Sequence, residues 1–299
     1  RFMMTDILKN RSYLSCIATS FVVFSDNFLL LLKKTWMWIV LLTVINCVNT
    51  ILGRYFLADT SVTIWAIVKI LYSIFVCVCI AKIQAGYIGI ITKQMDKQIF
   101  KRTLKISALT IFLVMVSITI LSTIIVSSTI AGQTIHMAYI AIATLLVALL
   151  LLLVLSPYSY SITKYLITSD ETFKLAFFKD YVKGWKAIGF LSTANLILCL
   201  ISTIALAILL LPVSILAISS FVDMIGIEMG DISGLPTCYW LYLAIGSTLT
   251  TIGLTIYLIW AGIYTIYVYG NVETDMMSAD KTENDNQQKN AQTNYILRH

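Results

Sequence analysis

The sequence predicts an all-α polytopic membrane protein, with six transmembrane helices in three hairpins and a cytoplasmic amphipathic helix before each hairpin. Three observations support this prediction. Hydrophobic residues make up 59% of the 299 residues and charged residues only 12%, against roughly 25% charged in soluble domains. Apolar runs of about 20 residues or more recur along the chain, which is the length that crosses a hydrocarbon core. Lysine-rich amphipathic segments come directly before every second apolar run.

The positions of the apolar runs define the six spans. We predict them at residues 35–57, 62–91, 106–131, 137–163, 187–221 and 239–270. Trp36 and Trp38 lie at one end of the first run, and Arg54 and Tyr55 lie at the other. These side chains are the ones expected at a membrane–water interface.

The fifth run is too long for one straight crossing. Pro212 lacks a backbone donor and crowds the preceding turn, so we expect it to end or kink the helix. Residues 213–238 are then predicted to form an outer loop that contains Asp223 and Glu228. Residues 271–299 are polar and mixed in charge, which favours a solvated cytoplasmic tail.

Three basic amphipathic segments precede the first, third and fifth spans. The first is residues 1–34, and the second holds four lysines at intervals of four residues: Lys93, Lys97, Lys101 and Lys105. The segments end at Lys34, Lys105 and Lys186, which suggests internal repetition. Any six-span protein with basic cytoplasmic loops would show a similar pattern, so this alternative stays open.

The third segment, residues 168–186, has the clearest pattern. Thr168 and Glu171 have the spacing of a capping box, which predicts that a helix begins at Thr168. Large apolar side chains share one broad arc: Phe173, Phe177, Phe178, Tyr181, Val182 and Trp185. A narrow stripe of lysines lies on the other side: Lys179, Lys183 and Lys186. We expect this helix to lie along the membrane surface with its lysines among headgroups, and Gly184 to act as a flexible joint to span five.

The distribution of Lys and Arg predicts the orientation. Eighteen of the 21 basic residues fall in the tail and in the stretches that precede spans one, three and five, and Lys164 is one of them. The opposite loops hold Arg54 alone, while Lys69 and Lys82 lie within span two. By the positive-inside rule, both termini face the cytoplasm of the inner cell membrane. Anionic lipid is therefore an expected partner, and nucleic acid is not, because the lysines flank membrane spans.

Few polar side chains lie within the spans. Lys69 and Lys82 are ionisable, and an ionisable residue inside the membrane is a functional candidate. Snorkelling is the simpler interpretation, above all for Lys82 near the cytoplasmic end. Asn46, Asn49 and Asn195 would either bond neighbouring helices or, with Lys69, form a polar transport site.

Span six contains a stripe of small residues. Ser247, Thr251 and Thr255 recur at i, i+4 and i+8, beside Gly246 and Gly253. Because small side chains let another helix approach closely, we expect this stripe to pack against a neighbouring span.

Motifs of catalytic or metal chemistry are absent from the sequence. His136 and His299 are its only histidines, and the six cysteines have neither disulfide nor metal spacing. There is no nucleophile elbow, P-loop or intramembrane aspartate pair. We therefore expect no catalytic residue, no metal and no cofactor, and a protein that is not an enzyme.

The order of elements is an amphipathic helix and a hairpin, three times, with an aromatic and lysine-rich helix before span five. This plan resembles uncharacterised bacterial six-span integral membrane proteins. It is similar in outline to the membrane domain of some glycerophosphoryl diester phosphodiesterases. The sequence holds no phosphodiesterase catalytic domain, so the resemblance does not imply that activity.

Two functions stay open. The first is a non-enzymatic scaffold or accessory subunit that contacts lipid and either other membrane subunits or a second copy of the chain. The second is a permease or channel-like subunit, resembling ABC exporter-type permeases, with a polar site around Lys69, Asn46 and Asn195. A water-accessible cavity lined by these residues would favour transport, and a sealed bundle would favour the scaffold.

Overall fold

The structure is a computed structural model that describes residues 7–55, 62–93, 98–113, 116, 153–168, 173–230 and 235–296. Over these residues the chain is helical and has no β-strand, which confirms the all-α fold class. The predicted spans at residues 106–131 and 137–163 fall mostly outside the described residues, as do Glu171 and His136.

We number the helices in chain order. They are α1 (Tyr13–Asp26), α2 (Phe28–Tyr55), α3 (Val62–Thr92), α4 (98–113), α5 (153–167), α6 (Phe173–Lys186), α7 (Ile188–Glu228) and α8 (Tyr239–Ile296). Four described segments are long and apolar enough to cross a membrane: Phe28–Gly53, Ala66–Thr92, Ile188–Glu228 and Tyr239–Ala279. They overlap the predicted first, second, fifth and sixth spans, with ends that differ by up to nine residues.

The chain divides into two compact units. The first unit comprises Arg1–Asp26, Leu150–Leu196 and Gly262–His299, and so contains α1, α5, α6, the beginning of α7 and the later part of α8. The second unit comprises Asn27–Leu149 and Ile197–Ala261, and so contains α2, α3, α4, most of α7 and the beginning of α8.

In the second unit, α2 and α3 form an antiparallel pair. At one end, Gly86 makes room for Thr35, since an added Cβ would lie 2.7 Å from the Thr35 methyl carbon. Toward the other end, the Lys69 ammonium donates to Asn49 Oδ1 at 2.8 Å. Residue numbers fall along α3 as they rise along α2, so the two helices run in opposite directions.

The parts of α7 and α8 in the second unit also pack antiparallel, through glycines of α8. A Cβ added at Gly246 would lie 3.3 Å from the Leu216 side chain, and one added at Gly253 would collide with Leu209. Small residues on α8 therefore permit the close approach of α7.

Helix α7 continues through Pro212 to Glu228. Of the two predicted effects of Pro212, ending the helix with a loop from residue 213 is therefore wrong, whereas a kink stays a prediction. The sequence after Pro212 remains apolar as far as Val222. Leaving the helix inside a membrane would deprive its backbone of hydrogen bonds, so continuation is favoured even though proline removes one bond.

In the first unit, α1 packs against the beginning of α7 and the later part of α8. The ring of Tyr13 stacks on Phe190 with 4.5 Å between centroids. The Cys16 thiol is fully buried, 4.0 Å from the carbonyl oxygen of Tyr267. Burial raises the pKa of the Cys16 thiol, and the positive charge of Arg11 opposes this shift. The thiol is therefore a core group and not a reactive one.

Residues 271–296, which were predicted to belong to a solvated tail, are helical. Asn271 is buried and accepts a hydrogen bond from the backbone N–H of Arg11. Glu273 accepts a hydrogen bond from the Tyr160 hydroxyl. A helix already nucleated by a long apolar segment extends into polar sequence at low cost, which explains this difference.

Helix α6 is described from Phe173 onward, and the predicted capping box falls partly outside the described residues, because Glu171 is not among them. The Thr168 hydroxyl donates back to the Lys164 carbonyl at 2.5 Å, so this residue closes α5. Gly184 lies inside α6, and the chain turns at Ala187. The prediction of a flexible joint at Gly184 is therefore wrong.

Candidate functional site

The second unit brings three of the predicted polar residues together. The Lys69 ammonium donates to Asn49 Oδ1 at 2.8 Å and lies 5.6 Å from the centroid of the Tyr72 ring. The Tyr72 hydroxyl donates to Asn46 Oδ1 at 2.7 Å, and Asn46 Nδ2 donates to Thr251 Oγ1 at 3.3 Å. We call these five residues the polar cluster. They join α2, α3 and α8.

The bonds of the polar cluster run between helices. Asn46 accepts a hydrogen bond from α3 through its Oδ1 and donates one to α8 through its Nδ2. Lys69 directs its ammonium to an amide oxygen of α2. Interhelical bonds of this kind stabilise membrane proteins by about 0.6 to 2 kcal/mol each. The cluster is therefore able to hold three helices together.

The hydroxyl stripe of α8 lies next to the polar cluster. Ser247, Thr251 and Thr255 are all buried. Ser247 Oγ lies 3.4 Å from Thr50 Oγ1 of α2. Helix α8 therefore presents Ser247 and Thr251 to α2, and Gly246 and Gly253 to α7.

Asn195 belongs to the first unit. Its Nδ2 donates to Ser156 Oγ at 3.1 Å and to Ser159 Oγ at 3.2 Å, which joins α7 to α5. This geometry matches the helix-bonding interpretation of the asparagine.

An apolar groove lies between α2 and α8 in the second unit and has a volume of about 380 Å³. Its lining includes Val40, Val44, Cys47 and Val48 of α2 and Ile252 of α8. No member of the polar cluster lines it. The groove suits an apolar chain and not a hydrated ion.

Lys82 lies between two aromatic rings. Its ammonium is 3.9 Å from the centroid of Phe100 on α4 and 5.5 Å from that of Trp38 on α2. Nearby, the Thr103 hydroxyl donates to the Ala81 carbonyl at 2.9 Å, so α4 packs on α3 here. Cation–π contacts therefore hold Lys82 against two neighbouring helices, where the sequence suggested simple snorkelling.

The lysines of the second amphipathic segment face solvent where they are described. Lys93, Lys101 and Lys105 are exposed, and Lys97 lies outside the described residues. Lys93 follows the last residue of α3 with a left-handed backbone, at φ 53°.

Helix α6 has three distinct faces. Exposed side chains form two of them, an apolar arc of Phe178, Val182 and Trp185 and a basic arc of Lys179, Lys183 and Lys186. Phe178 is 74% exposed and Val182 is 65% exposed. The centres of the two arcs are about 100° apart around the helix. The side chains of Phe173 and Phe177 lie outside the described part of the chain.

The third face of α6 packs against α5. Lys164 and Asp180 are 7% and 3% exposed, and the ammonium lies 2.7 Å from Asp180 Oδ1. One turn later, a Cβ added at Gly184 would lie 3.0 Å from Pro157 Cα. A buried ion pair and a close backbone contact therefore fix the rotation of α6 about its own axis.

This ion pair was not predicted from the sequence. Its partners are 16 residues apart, on either side of the boundary between α5 and α6. The available signal was the spacing of Asp180, Gly184, Ala187 and Leu191 at i, i+4, i+7 and i+11. At helical spacing these residues share a face that holds no lysine.

Within the part of the chain that the structure describes, no group of three His, Cys, Asp or Glu side chains is placed to hold a metal ion. The six cysteines are free thiols. No protein-family model, curated protein or solved structure matches this chain.

Proposed function

We propose that this chain is a non-enzymatic integral protein of the inner membrane, acting as a scaffold or accessory subunit that contacts lipid and membrane partners. In this proposal six helices cross the bilayer as three hairpins, and both termini are cytoplasmic. The four helices of membrane-spanning length and composition support its coarser part. The gathering of eighteen of 21 basic residues in alternate segments supports the orientation.

The observation that favours this proposal most is the placement of the two exposed arcs on α6. An apolar arc beside a basic arc is the arrangement of a helix at a membrane surface, where aromatic and aliphatic groups enter the acyl region and lysines reach headgroups. The third face of α6 is fixed by the pair of Lys164 and Asp180. A helix held in this way presents lipid-binding groups in a constant direction, as a scaffold requires.

The outer surface of α7 supports contacts with lipid or partner helices. Ile204, Ile208 and Ile215 are exposed along its length, as are several leucines. Water-soluble monomers rarely expose so large an apolar surface. In a bilayer such a surface contacts acyl chains, another subunit or a second copy of the chain.

Transport is the second candidate, and Lys69 is the observation that favours it. An ammonium within a helix of membrane-spanning length is a functional candidate in its own right. Against this, the ammonium bonds Asn49 of the neighbouring helix, and the groove described above is apolar and apart from it.

The substitution Lys69→Met separates the two candidates, because it removes the charge and keeps most of the stem. If the protein is a scaffold, the variant loses about 1 kcal/mol of stability, and the wild type shows no anion flux above that of empty liposomes. If it transports an anion, wild-type proteoliposomes show flux that the variant lacks.

Spin labels on α6 test the scaffold proposal in the full chain. Val182→Cys and Lys183→Cys are introduced singly after replacing the native cysteines with alanine, and the protein is placed in nanodiscs with anionic lipid. We expect oxygen to relax the label at position 182 and a water-soluble nickel complex to relax the label at position 183. If nickel relaxed both labels preferentially, α6 would lie in water. If oxygen relaxed both labels preferentially, α6 would lie in the bilayer core. Either result contradicts the proposal.

A further inference from the structure

One face of α2 combines a basic residue, an interfacial aromatic and the apolar groove. At 100° per residue, three residues lie within about 40° of Val40 around the helix axis: Lys33, Trp36 and Val44. These four side chains are exposed. Lys34 is also exposed but lies about 120° from Val40, away from this face.

The dimensions of this face match one leaflet of a bilayer. The groove extends along α2 from Ile39 to Val48, about 14 Å at 1.5 Å per residue, and half of a hydrocarbon core is about 15 Å. Lys33 precedes Val40 by about 10 Å, which is the place of a headgroup relative to its acyl chains. Trp36 lies between them, at the level where an aromatic belt forms.

The apolar lining of the groove favours an apolar occupant. Its lining is apolar except for two threonines, and the Thr43 hydroxyl donates to the carbonyl of Ile39 in its own helix at 2.8 Å. A hydrated or charged molecule would lose water here without compensation. The positive charge of Lys33 at the headgroup level favours an anionic group there.

We propose that the groove between α2 and α8 holds one acyl chain of an anionic phospholipid whose headgroup is bound by Lys33. The proposal rests on the function proposed above in one respect, since it requires α2 to cross the bilayer. It adds a defined lipid site on a span, separate from the surface contacts of α6.

Native mass spectrometry of the full chain in mild detergent tests the site, with phosphatidylglycerol and phosphatidylcholine of identical acyl chains as probes. We expect wild-type protein to retain phosphatidylglycerol in preference to phosphatidylcholine. Lys33→Gln should weaken retention of phosphatidylglycerol about fivefold, the effect of one lysine near an anionic surface. Lys34→Gln makes the same charge change off this face and should leave retention unchanged.

Filling the groove tests the acyl chain independently of the charge. Val44→Trp should reduce retention of both lipids, whereas Leu41→Trp, on an exposed residue outside the groove lining, should not. Val48→Phe is a milder filling variant that serves if Val44→Trp does not give a monodisperse helical protein.

Equal losses for Lys33→Gln and Lys34→Gln would overturn the proposal in favour of a diffuse charge effect. Unchanged retention in both filled variants would overturn it as well. Loss of a dimer mass on filling, without loss of lipid, would assign the groove to a second copy of the chain. Extraction from membranes at alkaline pH tests the proposed function separately, because release of the protein would show that it is not integral.

Discussion

Among single residues, Lys164 and Asp180 form a contact that depends on both partners. Each charge loses its hydration on burial, and their mutual attraction at 2.7 Å compensates only while both are present. Removing one partner leaves the other charged and buried, which is more costly than replacing both with apolar side chains.

We therefore expect a large difference between single and double variants of this pair. Asp180→Leu or Lys164→Met alone should reduce stability by about 3 to 5 kcal/mol, and the double variant should recover most of that loss. Thermal unfolding in detergent, followed by circular dichroism, ranks the stability of the wild type, the two single variants and the double variant. Lys183→Met, on an exposed lysine of the same helix, is the control and should have little effect. Losses in the single variants that simply add in the double variant would contradict this account.

The residues that could be found from the sequence were those whose chemistry conflicts with their surroundings. Lys69, Asn46 and Asn49 are conspicuous in apolar runs, and the structure brings them together. Tyr72 was missed because a tyrosine in an apolar run has a packing role as its simplest interpretation. Asp180 was missed because an acid among lysines in an amphipathic segment resembles an ordinary surface residue.

At the scale of elements, the contact of α5 with α6 depends on a glycine. The atoms nearest a Cβ added at Gly184 belong mainly to the backbone of Pro157, which cannot move aside as a flexible side chain could. Gly189 of α7 has no neighbouring atom within 4 Å of an added Cβ. The two glycines are five residues apart and both helical.

Alanine at these two positions should therefore have opposite effects. Gly184→Ala is expected to reduce stability by about 1 to 3 kcal/mol through overpacking, and it should broaden the spectrum of a spin label at position 182 as α6 is displaced. Gly189→Ala should be neutral or stabilise by up to about 1 kcal/mol, because it restricts the unfolded chain. Melting temperatures compare the two directly. An equal loss at both positions would mean that glycine flexibility, and not space, matters at Gly184.

The limits of prediction for the elements have physical causes. Apolar runs located the four described membrane-length helices, because burial in hydrocarbon is recorded in composition over about 20 residues. Helix ends were less predictable. Thr168 has the side chain of an N-cap and also closes α5, and Pro212 does not end α7 because an apolar segment follows it. Such outcomes depend on competition between neighbouring elements, which local patterns do not record.

For the whole molecule, the division into two units is the feature that the sequence did not reveal. The boundaries fall within single helices, at Leu196 of α7 and Ala261 of α8. Periodicity along these helices is continuous, whereas the units are defined by contacts between distant segments. The charge distribution, in contrast, can be obtained from the sequence alone, because it does not depend on contacts between distant residues.

That charge distribution leads to a prediction about topology that two described positions can test. Cys238 is exposed just before α8, at the end predicted to face outward, and Lys101 is exposed on α4, in a segment predicted to be cytoplasmic. In a chain whose other five cysteines are alanine, a membrane-impermeant maleimide should label Cys238 in intact cells. With Cys238→Ala and Lys101→Cys, labelling should appear only after the membrane is permeabilised. The physical reason is that lysine-rich segments are retained on the cytoplasmic side during insertion. Labelling of position 101 from outside would reverse the orientation, and labelling of both positions from the same side would mean that the number of crossings between them is even.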